Sequence, residues 1–180
     1  LPKFDISNYS IGDIIDRDLI EISEVENWRS PVREIAQLKS NADIEMSLAG
    51  DSIIVSIKRK GIPNLDIDDI IAVLNEKTGI EPKYYPPATL DSSSTLSHNF
   101  VFERYVWDSP SDGHYYIKLI RSKMIISNSA DKFEKLSALS YGLEWKDWEL
   151  GIQSNMLEMF INILYISNSK DVKAKSPYVK

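Results

Sequence analysis

The stretch ADIEMSLAGDSIIVSIKRK, residues 42–60, constrains the fold more than any other part of the chain. Ile44, Met46 and Leu48 alternate with Glu45 and Ser47, and Ile53, Val55 and Ile57 do the same around Ile54 and Ser56. A period of two puts each apolar set on one side of an extended strand. Ala49, Gly50 and Asp51 between them are turn formers, so the segment predicts a β-hairpin with one buried face. A hairpin of this kind is not stable alone and needs further strands or a helix against its apolar side.

The cover is close by in sequence. In NLDIDDIIAVLNEKTG, Ile67, Ile70, Ile71 and Leu74 follow helical spacing. Asp66 is placed to cap the start, Asp68 and Asp69 suit the positive end of the helix dipole, and Gly79 suits a left-handed terminator. These carboxylates are accounted for by helix-start electrostatics rather than by metal binding.

The remaining elements are read the same way. Asp13 to Glu26 contains Ile15, Leu19 and Ile22 at helical spacing among the acids Asp13, Asp16, Asp18, Glu21, Glu24 and Glu26, with Arg17 the single cation. It reads as an acidic amphipathic segment. Ser30 followed by Pro31 predicts the start of a short helix through RSPVREIAQL. After the Pro- and Ser-rich connection EPKYYPPATLDSSSTLSH come two aromatic-rich strands, NFVFERYVWD and HYYIKLIRS, and a third, KMIIS. Ser129 is placed to cap a helix through Phe133, Leu136 and Leu139 that ends at Gly142. Trp145, Trp148, Ile152, Met156, Met159, Ile163 and Ile166 are spaced three or four apart, which predicts one long helix from about 144 to 167. Gly151 inside it costs about 1 kcal/mol relative to alanine. The last residues, 169–180, carry four lysines and no apolar periodicity, and read as a loosely attached basic tail.

Together these elements predict a single α+β domain over residues 1–168. Its mainly antiparallel sheet would have about five or six strands, with the helices starting at Asp66 and Glu144 packed on at least one face. No apolar run reaches the ~20 residues of a membrane-spanning helix.

Composition narrows the chemistry. The 180 residues hold 27 Asp and Glu against 21 Lys and Arg, a formal charge of −6. This balance disfavours a nucleic-acid partner, whose phosphates call for a cationic surface. The chain has no cysteine and two histidines, so thiolate catalysis and Cys-ligated zinc are excluded. The segment VWDSPSDGHYY brings Asp108, Asp112 and His114 together. As a calcium loop begun at Asp108 it has Pro110 at the third position and Leu119 at the twelfth, where oxygen ligands belong. His98 lies at the far end of the preceding strand, too distant to share a metal with His114. The segment reads as a hairpin connection. No phosphate loop, nucleophile elbow or dinucleotide fingerprint is present.

The residues thus indicate no catalytic group, metal or cofactor, and point to an acidic domain that binds a basic protein, in the manner of an inhibitor, an immunity protein or an adaptor. The contacts expected from the sequence are Asp13, Asp16, Asp18, Glu21, Glu24 and Glu26, with Tyr105, Trp107, Tyr115 and Tyr116 as exposed aromatic anchors. Two alternatives stay open. One is a hydrolase using carboxylates and His114 beside the 86–98 loop, and the other is a homodimer formed through the 144–167 helix.

Overall fold

The computed structural model describes residues 8–27, 32–50, 52–88, 98–108, 116–127 and 130–153, with the side chains of His98 and Asn99 left out. The hairpin forms as its alternation requires, from β3 (Asn41–Ala49) and β4 (Ile53–Ile62). Before it run β1 (Ile20–Glu26) and β2 (Arg33–Leu38), and after it come β5 (Lys83–Tyr85), β6 (His98–Trp107), β7 (Tyr116–Ile126) and β8 (Trp148–Gln153). Two helices, α1 (Ile67–Thr78) and α2 (Lys132–Tyr141), complete the described elements.

The eight strands form one sheet in the order β1-β2-β3-β4-β8-β7-β6-β5, with every neighbouring pair antiparallel. The architecture is α+β, but the sheet has eight strands rather than five or six. It consists of two four-stranded meanders, β1 to β4 and β5 to β8, joined through their last strands. The β4–β8 pairing, with Ile57 opposite Ile152, closes residues nearly a hundred positions apart. No local signal specifies such a closure.

The core lies on one face. Ala36, Met46, Ile57, Ile152, Ile117 and Trp107 stand opposite one another in a row across six strands, and none is more than 6% exposed. Each large apolar side chain buried in that row contributes about 1.5–3 kcal/mol. Helix α1 packs on this face. Leu74 is buried, and Ile67, Ile70 and Ile71 are packed partly buried against the core. Its end is set by Gly79, which takes the left-handed conformation at φ 71° and donates its amide to the Asn75 carbonyl. The start differs from expectation. A short 3-10 turn over Asn64–Asp66 leads in, and the Asp66 side chain caps nothing.

The opposite face is polar and half-exposed at its centre. Its central row runs Glu45, Lys58, Gly151, Lys118 and Val106. Lys58 reaches Glu45 at 3.0 Å, and Lys60 pairs with the same carboxylate. Helix α2 packs on this second face over Met124, burying Ala138. Its N-cap is Asp131 rather than Ser129, which lies outside the described residues. Asp131 accepts from the Glu134 amide, and the Glu134 side chain accepts from the Asp131 amide, a reciprocal capping box.

Three helix expectations are overturned. Residues 17–26 are a 3-10 turn, Arg17–Leu19, followed by strand β1. Residues 33–38 are strand β2, held between β1 and β3. Residues 148–153 are the central strand β8, so no helix runs from Glu144; the remainder of that expected helix, 154–167, lies outside the described residues. In β8, Trp148, Leu150 and Ile152 are buried while Glu149, Gly151 and Gln153 face the other way. The same side chains satisfy a helical spacing of three and four and a strand spacing of two, and the sheet decides between them. Finally, residues 116–122 and 123–126, read from the sequence as two strands, form one strand, β7.

Candidate functional site

Glu21, Glu24 and Glu26 lie on the edge strand β1, Asp16 and Asp18 belong to the 3-10 turn that leads into it, and Asp13 sits beside β4, where its carbonyl accepts from the Ile54 amide at 2.9 Å. Among the described residues, strand β1 pairs on a single side, with β2, and leaves the other backbone edge free. A register shift between Ile22 and Glu24 marks a bulge there, with the Ser23 hydroxyl donating to the Ile35 carbonyl at 3.1 Å. Charges and bulges are how exposed sheet edges resist pairing with like edges. Ile20 is buried on the core side, while Glu21, Ser23, Glu24 and Val25 are exposed.

Two of the acids have structural duties. Asp13 Oδ2 accepts from the Ser10 amide at 2.8 Å. Asp16 Oδ1 accepts from the Asp18 amide at 2.9 Å, capping the 3-10 turn. Neither bond neutralises the carboxylate. Arg17, the one cation of the segment, is taken up by Glu34 in a two-pronged contact of 2.7 and 3.1 Å. That hydrogen bond holds the Glu34 carboxyl below its ordinary value and raises the Arg17 guanidinium. Lys39 spends its ammonium on the Asp18 carbonyl oxygen at 2.9 Å. Among the described residues, Asp13, Asp16, Asp18, Glu21 and Glu24 form no ion pair. All five are exposed, and Glu26 is half-buried and engaged.

The expected aromatic anchors do not join them. Trp107 is fully buried on the core face, and its indole Nε1 donates to Asn75 Oδ1 of α1 at 2.8 Å. It offers no surface to a partner, which corrects its assignment as a contact residue. The reason is register: Trp107 stands opposite Ile117 in the buried row. Tyr105 shares that face, half-buried, its ring 4.8 Å from Tyr84 and 5.7 Å from Trp148. Tyr116 sits on the other face, half-buried, hydrogen-bonded to Gln153 and lying under the Lys118 ammonium at 5.0 Å. Tyr115 and His114 lie outside the described residues. Six strand positions separate β1 from β6, roughly 29 Å at the usual spacing of about 4.8 Å. The acids and the aromatics are therefore two places, not one site.

A charged cluster that sequence reading missed lies near Tyr105. Glu103 accepts from Arg121 Nε and from the Tyr84 hydroxyl, both at 2.7 Å, and Arg121 also donates to Asn64 at 2.9 Å. The guanidinium is flanked by the Trp145 and Trp148 rings at 4.7 and 4.6 Å. The hydrogen bond to Glu103 pushes the Tyr84 phenol up to about 12. This arrangement ties β5, β6 and β7 to the turn before α1, and its charges are satisfied internally. Glu103 and Arg121 stand opposite each other on β6 and β7, a register that the sequence reading did not assign.

No three metal-binding side chains gather among the described residues. No helix of the described residues is long and apolar enough to cross a membrane. No family model matches the chain, and no curated protein or solved structure matches it.

Proposed function

We propose that this chain is a non-catalytic acidic domain that docks a basic protein through the β1 edge, in an inhibitory, immunity-like or adaptor role. The observation that carries this reading is the set of exposed carboxylates without ion pairs among the described residues: Glu21 and Glu24 on the edge strand, Asp16 and Asp18 at the turn that leads into it and Asp13 farther along the same segment beside β4, while Arg17 is already paired with Glu34. Like charges gathered at one edge create a field that speeds encounter with a cationic surface and repels acidic ones. They also keep two β1 edges of identical chains apart, so an edge-guarding role and a docking role are compatible. The backbone edge of β1 that is left unpaired among the described residues gives a partner strand hydrogen-bonding groups to meet once it has arrived. Tyr105, Trp107 and Tyr116, on β6 and β7, add no area to this edge.

The test is retention of a partner from source extract on immobilised protein at low and high salt, comparing the wild type with Asp18→Lys/Glu21→Lys/Glu24→Lys. A basic protein held by the wild type at low salt, released at high salt and absent from the variant supports the reading. Equal retention by the variant overturns it, because surface ion pairing is the only part changed.

A further inference from the structure

Six of the large apolar side chains that remain exposed lie on α2 and on the neighbouring strand β6. Phe133 is 79% exposed, Leu136 57%, Leu139 58% and Tyr141 63%, while the one buried residue of the helix is the small Ala138. A helix that served only this sheet would turn its larger apolar residues inward. Phe100 and Phe102, each 47% exposed, extend the patch onto β6. Phe100 is the register partner of Met124, and Met124 forms the floor of a pocket of about 200 Å³ walled by Phe133, Ala138 and Tyr141.

We infer that this face is the twofold interface between two copies of the chain, with α2 packed antiparallel against α2 near Leu136. Area is the first argument. With an aromatic side chain worth about 200 Å² and leucine somewhat less, the six residues present on the order of 650 Å². That exceeds the ~300–600 Å² of the largest apolar patch on an ordinary monomer and approaches the ~800 Å² per partner of a standard interface. Shape is the second. The same surface carries projecting leucines and a recess able to take a large apolar side chain, as a self-complementary twofold contact requires. Orientation is the third. An antiparallel pairing opposes the two helix dipoles.

The chain has no cysteine, so single thiols report position cleanly. Leu136→Cys in the full-length protein should give a covalent dimer with a short thiol-to-thiol linker, whereas Leu65→Cys, 94% exposed in the turn before α1, should not. Sedimentation of the wild type should show a dimer that persists at high salt. Leu136→Asp/Leu139→Asp should weaken association at least tenfold while leaving the melting temperature of the monomer in place, since both positions face solvent. A wild type that stays monomeric at every concentration overturns the inference. So does a dimer that survives the double substitution. A monomer whose Leu136→Cys thiol resists alkylation overturns it as well, and assigns the face to residues 154–167 of the same chain. Because this contact is apolar and salt-resistant, its failure is distinguishable from failure of the salt-sensitive β1 edge.

Discussion

Replacing Trp107 separates a core residue from a contact residue, the two roles that sequence and structure assign to it. The side chain is 0% exposed. An indole buries roughly 150–250 Å², which at ~25 cal/mol per Å² is about 4–6 kcal/mol of transfer free energy. Measured Trp→Ala and Phe→Ala costs of about 3–5 kcal/mol in cores agree with the lower part of that range. Trp107→Ala should therefore lose about 4 kcal/mol. In urea, with a slope near 2 kcal/mol per molar, the unfolding midpoint should fall by about 2 M at unchanged slope. Trp107→Phe keeps most of the ring but deletes the donor to Asn75 Oδ1, whose bond is 2.8 Å long. It should cost about 1–2 kcal/mol and remain folded, combining a lost hydrogen bond with a small packing defect. In a cycle with Asn75→Ala, the coupling should be about 0.5–1.5 kcal/mol. Folded Trp107→Phe should bind the partner as well as the wild type does. A midpoint shift below about 0.5 M for Trp107→Ala, or a binding loss in folded Trp107→Phe, would refute the placement of this residue in the core.

Two further substitutions test local devices. Burial opposes the ionised form of Glu45, but hydrogen bonds from Lys60 and Lys58 prevail and hold its carboxyl below the ordinary 4.5. A folded pKa below the unfolded one means that its contribution to stability is present above the ordinary value and is lost as the pH falls through the depressed one. Denaturant melts across that acid range should show a shallower loss of stability in Glu45→Gln than in the wild type. At Asp131, removal of the capping box by Asp131→Ala should cost about 1 kcal/mol, read from the urea midpoint. Rescue by Asp131→Ser would show that the cap, not the charge, is responsible.

Local signals were sufficient where the residues involved are close in sequence. The β3–β4 hairpin, the left-handed Gly79 at the end of α1 and the stop of α2 at Gly142 follow from alternation, turn chemistry and glycine at a positive φ. The acidic character of the β1 segment was equally plain, because charge needs no fold to be counted. Its secondary structure was not, since Ile15, Leu19 and Ile22 match a helical stripe while β2 supplies the pairing that makes 20–26 a strand. Residues 33–38 carry the start signal of Ser30 and Pro31, a local preference that two neighbouring strands override.

Non-local pairing decided the rest. Trp148, Leu150 and Ile152 fit both periods, and the available slot between β4 and β7 selects the strand. Gly151, a penalty in the expected helix, sits in β8, where its missing side chain leaves a groove between Lys58 and Lys118 on the half-exposed face. Trp107 shows the same division of labour. Alternation put it opposite the side chains at 106 and 108, but strands with aromatics on both faces do not reveal which face is covered. That is settled only when β7 and α1 arrive to pack against it, because burial is a property of what lies across the gap and not of the residue itself.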